Sequence, residues 1–418
     1  MDSVSEPPVK RGRSRAGGDV ASGMERLPRE IALDILSRLP VTSIVYFGLV
    51  SKSWRELARD PLLPELQLVR SARSEPFLVF HCDLPVQNHL YFVELSAHQG
   101  GTVGVSMKKL CPPPWADMAE FEVVGSFNGI LCLADSLFNE SVCLYNPFTK
   151  DCHLLPRTKP YPNQEVAFGF GVDPKTGRFK VVRVVYYTKA VTGTSRARRT
   201  AYQLSEVQVL TVGGGGGGGD GDGEWRSLGK APYQITRRPS EAVLHGRLHW
   251  VARPRRSLPI RPLVSFDLSE ERFDEVPIPD SGPLNWCNYQ VTVLGGSLAA
   301  IANCYHGKIE IWAMKVYGER DSWGKKFSIG SHVPRALRRK SPSLPPRIFR
   351  RANAKVRALC FLEGTGEVLL EYKSRALVAY DPKKDMFRDI HIKGTPTWFQ
   401  SFTHLGTLGR TTDLPLRD

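Results

Sequence analysis

The eight cysteines are the first candidates for metal binding, nucleophilic chemistry or disulfide formation in this chain. They are Cys82, Cys111, Cys132, Cys143, Cys152, Cys287, Cys304 and Cys360. They lie far apart, and none forms a C-x-x-C pair or has a histidine at zinc-finger spacing. Cys132 lies within the apolar strand pattern ILCL, where a free thiol acts as a small core side chain. We therefore expect neither a metal site nor a disulfide framework.

The ten histidines are the candidates for acid–base catalysis. They are His81, His89, His98, His153, His245, His249, His306, His332, His391 and His404. The pattern places them on scattered turns without carboxylate or cysteine partners at a useful spacing. The run GGGGGGGDGDG at 213–223 lacks the Gly-Lys-Ser/Thr ending of a phosphate-binding loop and is interpreted as a low-complexity hairpin insert. The sequence thus predicts no catalytic residue and no cofactor.

Positive charge is the unusual feature of the composition, with 57 Lys and Arg against 42 Asp and Glu and a net charge of +15. Much of the excess lies in three loop-like patches, Lys10 to Arg15, Arg196 to Arg199 and Arg335 to Lys355. The last mixes basic residues with Pro and Ser, which is typical of a solvated loop; a nuclear signal or a surface for an acidic partner are the alternatives. No nucleic-acid-binding motif accompanies the charge, so direct nucleic-acid binding is disfavoured.

The 418 residues, 41% hydrophobic and 24% charged, suffice for two or three soluble domains with a large core. No apolar run is long enough for a membrane span, and the N-terminus is polar and basic where a secretory signal would be apolar. These features predict an intracellular protein, in the nucleus, the cytoplasm or both, with no membrane partner.

Four segments of different composition divide the chain. Residues 1–23 are rich in Ser, Pro, Gly and Arg and predict a disordered basic tail. Residues 24–65 carry a helical pattern, residues 66–410 a pattern of short strands, and residues 411–418 a second short tail. We therefore expect a small helical domain followed by a large β domain.

The β segment repeats a pair of hairpins. In the first hairpin two apolar strands flank a tight glycine turn, and in the second a polar turn precedes an amphipathic strand. The first occurs as VVGSFNGILCLA, EAVLHGRLHWVA, VTVLGGSLAAIA and ALCFLEGTGEVLLEY, and the second as CLYNPFTKDCHLLP, LVSFDLSEERFDEVPIP and LVAYDPKKDMFRDIHI. Each pair makes a four-stranded meander, and the turns at His245 and Gly295 are 50 residues apart. That period is typical of a β-propeller blade.

A four-stranded blade leaves both of its faces uncovered, so blades must stack radially until a ring closes. Roughly 330 residues at about 50 per blade favour an all-β domain that is a six-bladed β-propeller. In that case the C-terminal segment TWFQSFTHL closes the ring by pairing with the first blade. A pair of β-sandwiches is the alternative. Tryptophans in the strand segments are predicted to pack in the core or between blades, and these are Trp225, Trp250, Trp312, Trp323 and Trp398.

The stretch LPREIALDILSRLPVTSIVYFGLVSKSW, residues 27–54, is the densest apolar stretch in the first quarter of the chain. A helix over residues 30–39 aligns Ile31, Ile35 and Leu39 on one face. In a second helical region a further apolar face would be formed by Phe47, Val50, Trp54, Leu57 and Ala58.

Several apolar residues of this stretch have no obvious internal partner, and a domain so short is marginal alone. They are Leu27, Pro28, Leu36, Ile44 and Leu49. The surplus predicts an interface with another protein.

LPREIALDILSRLPVTSIVYFGLVSKSWRELARDP resembles an F-box. The family pattern is a Leu-Pro start, an amphipathic helix ending in Leu-Pro, and a Val-x-Lys-x-Trp core. Family members often have Arg and Cys where Gly48 and Leu49 stand. Because glycine in a helix costs about 1 kcal/mol relative to alanine, we expect a frayed third helix. The resemblance implies a small all-α F-box of three helices.

The β segment resembles the F-box-associated, kelch-like interaction domain of plant F-box proteins. The matching segments are LYNPFTKDCHLLP, FGFGVDPKTGRFKVVRVVY, LVSFDLSEERFDEVPIP and IEIWAMKVYGERDSWGKKFSIG. The resemblance implies an adaptor: the F-box docks on a Skp-type linker protein, and through it on a cullin, while the β domain binds an unknown target for ubiquitination. The residues implied to bind the linker are Leu27, Pro28, Ile31, Ile35, Leu36, Leu39, Pro40, Ile44, Val50, Lys52 and Trp54.

A basic β-propeller scaffold that binds nucleic acid or acidic partners, without a role in ubiquitination, is the alternative function. Its binding to generic DNA or RNA would depend steeply on salt. The adaptor function requires no such binding.

Overall fold

The computed structural model describes residues 27–71, 76–82, 89–94, 108–109, 118, 120–188, 204–212, 223–235, 239–240, 242–254, 260–338, 356–362 and 364–411. Four helices lie near the start of the described residues: α1 Arg29–Leu36, α2 Val41–Phe47, α3 Lys52–Ala58 and α4 Leu62–Ser71. One further helical turn, α5, spans Arg335–Arg338.

Strands make up most of the remaining described chain. In chain order they are β1 Phe77–Cys82, β2 His89–Glu94, β3 Lys108–Lys109, β4 Phe121–Phe127, β5 Ile130–Asp135, β6 Val142–Tyr145, β7 Cys152–Leu154, β8 Glu165–Val172, β9 Phe179–Tyr187, β10 Leu204–Val212, β11 Arg226–Gly229, β12 Ala242–Leu244, β13 Arg247–Val251, β14 Leu263–Asp267, β15 Arg272–Val276, β16 Asn288–Leu294, β17 Ser297–Asn303, β18 Ile309–Met314, β19 Trp323–Ile329, β20 Val356–Phe361, β21 Val368–Tyr372, β22 Ala376–Asp381, β23 Met386–Ile390 and β24 Phe399–His404.

The described strands form six four-stranded sheets, which are the blades of a propeller. Blades 1 to 5 are the consecutive meanders β4–β7, β8–β11, β12–β15, β16–β19 and β20–β23. The closing blade has the order β24-β1-β2-β3, and β24 pairs with β1 from Phe77 opposite His404 to Cys82 opposite Phe399. The predicted six blades are confirmed, and so is the predicted closure of the ring, in which TWFQSFTHL pairs with the first strand of the β domain, β1.

Hydrophobic clusters fill the junctions between neighbouring blades and hold the ring together. Leu78 and Phe80 of β1 pack with Leu369 of blade 5, whereas Val79 packs on the other side with Leu131 of blade 1. A single strand serves two junctions because successive side chains point to opposite faces of a sheet. The other four junctions contain clusters of the same kind. This closed ring rules out the β-sandwich alternative.

Blades 2 and 3 approach each other so closely at Gly169 that a larger residue would not fit. A Cβ atom on Gly169 would lie 2.7 Å from Cζ2 of Trp250, a distance that requires something to move. Trp250 is buried, as are Trp323 and Trp398. For these three tryptophans the predicted role in packing is confirmed.

A buried polar network ties blade 5 to the closing blade. Arg357 Nη1 donates to Glu371 Oε1 at 3.2 Å and to the Ser401 carbonyl oxygen at 3.1 Å. The Ser401 backbone N–H donates to Glu371 Oε2 at 2.6 Å. Because a buried charge is tolerated only when it is paired and hydrogen-bonded, Glu371 depends on both Arg357 and the last strand of the ring.

The turns between strands define two ends of the ring, since neighbouring strands in a blade run in opposite directions. The proximal end carries the turns 128–129 and 146–151 of blade 1 together with residues 405–411. The distal end carries the turn 373–375 of blade 5 and the connection 391–398. Phe399 N donates to the Ser374 carbonyl oxygen at 2.9 Å, which joins these two distal segments.

Three histidines are buried in strands, His81, His249 and His404, and His89 and His153 also lie in strands, so the predicted placement of all histidines on turns is wrong for these five. His249 lies in β13, where its Nε2 is 2.8 Å from the Tyr317 hydroxyl oxygen, and His404 lies in β24, where its Nδ1 is 2.9 Å from Ser126 Oγ. Burial lowers the pKa of His249 to about 4 and the pKa of His404 to about 3. Both rings are therefore neutral in the folded protein near pH 7.

The free energy of unfolding should decrease as the pH falls below about 6.5, because the unfolded histidines then bind protons that the buried rings do not. Each ring contributes up to about 1.4 kcal/mol per pH unit, until the pH approaches its folded pKa of about 4 or about 3. Urea unfolding between neutral pH and about pH 5 measures this slope. His404→Asn should make it shallower, whereas the same change at exposed His391 should not; an unchanged slope in the His404 variant contradicts the prediction.

Candidate functional site

Helix α1 presents two isoleucines to solvent. Pro28 occupies the N-cap position and Glu30 lies in the first turn, where a carboxylate favours helix formation. The inner face of α1 buries Leu33 and Leu36, so the outer positions are left exposed. Ile31 and Ile35 are 48% and 38% exposed and lie one turn apart on the same side of the helix.

A second exposed apolar group follows at the end of α2. Tyr46, Leu49 and Val50 are 62%, 71% and 72% exposed. The predicted continuous helix through these positions is wrong: α2 ends at Phe47 and α3 begins at Lys52. Gly48 caps α2, and Ser51 caps α3 by accepting a hydrogen bond from Trp54 N at 3.2 Å. The break turns Val50 away from the apolar face that it was predicted to share with Trp54.

The helical domain has a small core, and α4 supplies the partner that sequence reasoning missed. Leu36 and Ile44 are fully buried with Leu33 and Leu63. The predicted role of Leu36 and Ile44 as linker contacts therefore needs correction, because neither reaches the surface of the described chain. The prediction of three helices ending at residue 65 is likewise incomplete, since α4 begins inside that boundary and continues to Ser71.

Ion pairs fix α4 against α1. Asp34 on α1 bonds to Arg70 on α4 and to Arg38, two residues beyond the end of α1. Arg70 Nη1 also donates to the Asp34 carbonyl oxygen at 2.7 Å. These hydrogen bonds hold the pKa of Asp34 below its usual value. The polar side of α1 is thus occupied by α4, and the side that carries Ile31 and Ile35 is left open.

The remaining predicted linker residues have mixed environments. Pro28, Pro40 and Lys52 are exposed, and Leu27 is half-buried. Leu39 and Trp54 are half-buried against the helical core, where Trp54 lies 5.0 Å from Phe47 between ring centroids. Leu62 and Val69 are exposed on α4, and the exposed apolar set of α1, α2 and the α2–α3 connection is Ile31, Ile35, Tyr46, Leu49 and Val50, of which sequence reasoning did not single out Tyr46. We call this set the docking surface.

Residues 405–411, which we call the C-terminal clasp, join the helical domain to the proximal end of the ring. Leu408 packs against both the helical core and the junction between blade 1 and the closing blade. A Cβ atom on Gly406 would overlap the side chain of Val41 in α2. Asn146 Nδ2 donates to the carbonyl oxygens of Thr407 and Gly409 at 3.0 and 2.7 Å. The docking surface is thus held in a fixed position relative to the propeller.

The predicted start of the C-terminal tail, residue 411, lies one residue too early, because the clasp includes that residue. Thr411, assigned from the sequence to the C-terminal tail, is buried, and its backbone N–H donates to Asp151 Oδ2 at 2.6 Å. It belongs to the folded domain, because a hydrogen-bonded and buried backbone is not part of a free tail.

Several sequence predictions fall outside the described residues. These are the basic tail 1–23, the patch Arg196 to Arg199, most of the glycine-rich run at 213–223, and the part of the patch Arg335 to Lys355 that follows Arg338. In the part of the chain that the structure describes, no group of three or more His, Cys, Asp or Glu is placed to hold a metal ion. No helix among those residues is long and apolar enough to cross a membrane. Cys132 is fully buried, which confirms its predicted place in the core.

The chain combines a helical domain that exposes an apolar surface with a closed six-bladed ring. Two family models match these two parts of the chain. Residues 24–63 match the F-box-like family, and residues 78–411 match the F-box associated beta propeller domain. The chain therefore belongs to the F-box proteins with an F-box associated β-propeller domain.

Individual relatives support this family over most of their length. The chain is 45% identical to F-box protein At3g07870 of Arabidopsis thaliana, covering 94% of this chain and 94% of that protein. It is 27% identical to F-box protein CPR1 of Arabidopsis thaliana, covering 90% and 87%. Among solved structures, an oligogalacturonate lyase in complex with manganese aligns with a TM-score of 0.40 and 9% identity over 77% of this chain and 75% of that one. That likeness bears on neither the family nor the activity.

Proposed function

We propose that this protein is the substrate-recognition adaptor of a Skp-cullin-F-box ubiquitin ligase. Its docking surface binds a Skp-type linker and through it a cullin, and its propeller binds the target protein. The observation that carries this proposal is the pair of apolar groups, Ile31 with Ile35 and Tyr46 with Leu49 and Val50, left exposed on an F-box domain. Large exposed apolar groups of this kind mark sites of protein association.

The energetics of these side chains support an interface. Burial of one large aliphatic side chain is worth about 1.5–3 kcal/mol, so the five residues together could supply a large part of the binding free energy of a stable complex. Lys52 and Arg55 are exposed on α3, and Arg55 Nε donates to the Gly48 carbonyl oxygen at 3.0 Å, next to Leu49 in the chain. A polar rim around an apolar centre is the usual composition of a protein interface.

The mechanism that we propose is proximity. The clasp and the α2 contact with Gly406 hold the F-box against the ring, so a target bound to the propeller keeps a fixed orientation relative to the linker. A target lysine is then held near a ubiquitin-charged enzyme supplied by the complex, which raises its effective concentration there. This role requires no catalytic residue, metal or cofactor from the chain, and we propose that the protein is not an enzyme.

We further propose that the protein acts inside the cell, in the nucleus, the cytoplasm or both. The support is its family membership, because a Skp-cullin complex is the partner that an F-box requires. A basic segment that acts as a nuclear localisation signal would place the protein in the nucleus, whereas without such a signal the protein would stay in the cytoplasm.

Co-purification tests the proposed function. The full chain carrying an affinity tag should recover a Skp-type linker and a cullin from plant cells, and it should shorten the half-life of its target only when the linker is present. Recovery of neither partner would remove the basis of the adaptor assignment.

The net charge of +15 favours one second candidate, a basic propeller that binds nucleic acid or acidic partners without the ubiquitin pathway. That function predicts retention on generic DNA or RNA with a steep dependence on salt. Titration of the purified chain with a generic duplex at two salt concentrations distinguishes the two functions.

A further inference from the structure

A cavity of about 430 Å³ opens at the distal end of the propeller, on the side of the ring opposite the F-box. It lies where α5, the turn after β21 and the connection 391–398 meet. Its wall is partly apolar, and it includes Ala336, Leu377, Ile390, Ile392 and Phe399. The volume is in the range that holds a side chain or a small ligand.

Arg375 is the charged group of this cavity that lacks a counter-ion. Its Nη2 donates to the Ala336 carbonyl oxygen at 3.2 Å, and its guanidinium carbon lies 5.3 Å from the centre of the Trp398 ring. Its Nε is buried without a hydrogen-bond partner. No described carboxylate forms an ion pair with it, in contrast to Arg357, which is 3.2 Å from Glu371.

Arg375 is half-buried, and the partial desolvation of its guanidinium without a counter-ion is unfavourable. Desolvation lowers its pKa from the usual value, although the guanidinium remains charged near pH 7. The Trp398 ring and the Ala336 carbonyl oxygen both contact the guanidinium and limit its positions, and a guanidinium offers the geometry for bidentate hydrogen bonding to a carboxylate or phosphate. An anion in the cavity would therefore relieve a cost that the free protein bears.

The rim of the cavity adds positive charge. Arg335, Arg338, Lys373 and Lys393 are exposed on the three segments that border it. Asp389 is the one acidic residue of the described wall: its Oδ2 accepts from Arg335 N at 2.9 Å, and its Oδ1 is buried without a hydrogen-bond partner, 3.6 Å from His332 Nε2. The local field thus favours a negatively charged ligand.

We propose that this cavity binds an anionic side chain, a carboxylate or a phosphate, of a peptide segment in the target protein, with Arg375 as its counter-ion and an apolar neighbour of that side chain on the wall. This inference rests on the proposed function, because it names the chemistry by which the propeller selects its target. Its place at the distal end leaves the linker side of the molecule free, so the target and the ligase would not compete for the same surface.

Binding of defined peptides to the full chain tests this proposal. The probes are three fluorescent pools of short peptides that carry a central glutamate, phosphoserine or glutamine flanked by leucine or proline. The full chain should bind the glutamate or the phosphoserine pool at least about tenfold more tightly than the glutamine pool, because charge-assisted hydrogen bonds to arginine are strong. Comparison of the two anionic pools separates a constitutive acidic motif from a phosphorylated one.

Matched variants assign the effect to Arg375. Arg375→Gln should abolish the preference for the anionic pools, and Arg375→Lys should retain part of it. The control is Arg272→Gln, which removes the same charge from an exposed arginine already 3.5 Å from Asp274. The proposal is overturned if no pool exceeds the neutral one, or if Arg375→Gln binds the anionic pools as the unchanged chain does.

Linker binding measured on the same preparations separates this proposal from the proposed function. Arg375→Gln should recover the Skp-type linker at the level of the unchanged chain, because Arg375 lies at the end of the ring away from the docking surface. Peptide selectivity without linker binding would overturn the adaptor function alone, and linker binding without peptide selectivity would overturn the cavity alone.

Discussion

Removal of residues 393–418 should abolish the cooperative unfolding transition of the whole β domain. The deletion takes away β24, which pairs with β1 over six residues, and with it one of the four strands of the closing blade. It also removes Phe399, whose ring lies 5.3 Å from Phe80 in the junction with blade 5. A ring depends on every junction, so an opened ring exposes two apolar blade faces at once.

The polar network makes the same deletion more costly. Glu371 would lose the Ser401 backbone N–H that donates to it at 2.6 Å, and a buried carboxylate that loses a partner is strongly destabilising. The clasp is deleted as well, so Leu408 no longer covers the helical core. We expect no measurable thermal transition above room temperature, in contrast to the sharp transition of the intact chain.

The matched control is removal of residues 412–418 alone, which leaves β24 and the clasp in place. That shorter chain should melt within about 2 °C of the intact protein, because it loses none of the described contacts. Thermal unfolding followed by circular dichroism and by tryptophan fluorescence measures both variants. A normal melting temperature after the longer deletion would mean that the ring does not need its last strand, and that outcome contradicts the closed-ring account.

Ile35→Asp should weaken binding to the Skp-type linker by at least about thirtyfold, since central apolar contacts of an interface typically contribute 2 kcal/mol or more. A carboxylate placed in an apolar interface must also be desolvated without a partner. Ile35 is exposed in the free chain, so the variant should melt at the same temperature as the unchanged protein. Calorimetric titration with purified linker measures the loss.

Two further variants control this experiment. Val316→Asp places the same charge on an exposed aliphatic residue of the propeller and should leave linker binding unchanged. Leu39→Asp should weaken linker binding and also lower the melting temperature, because Leu39 packs against the helical core. Linker binding by Ile35→Asp and Ile31→Asp that equals the unchanged chain would overturn the assignment of the docking surface.

The same variant has a consequence in cells. A chain that holds its target but cannot reach the linker should protect that target from turnover and compete with the intact protein. The half-life of a captured target, measured with the unchanged chain and with Ile35→Asp, gives the test. Equal turnover with both would show that linker binding is not required for delivery.

The overall fold was accessible from sequence because its signals are local and repeated. Blades 1, 3, 4 and 5 each begin with an apolar hairpin around a glycine-containing turn, as at His245 and Gly246. A positive φ angle at such turns favours glycine, so the turn positions can be recognised from glycine in the sequence. The family pattern of the F-box is local in the same way.

The errors in the helical domain have a common cause. The spacing of apolar residues from Phe47 to Trp54 is compatible with one helix. The caps at Gly48 and Ser51, which end α2 and begin α3, are evident only from the backbone conformation. Leu36 and Ile44 were taken as surplus because their covering residues, Leu63 in α4 and Leu408 in the clasp, are distant in sequence. Periodicity reports which face of a helix is apolar and not what covers that face.

The sequence by itself determined the two domains, the blade repeat, the ring closure and the family, because hydrophobic periodicity and turn residues are properties of neighbouring positions. Only the tertiary structure decided which apolar residues of the F-box remain exposed and where the F-box contacts the ring. It also decided that Arg375 lines one cavity together with residues of α5 and of the connection 391–398. These features join positions tens or hundreds of residues apart. Their formation depends on the closure of the ring, which brings segments together that no local pattern links.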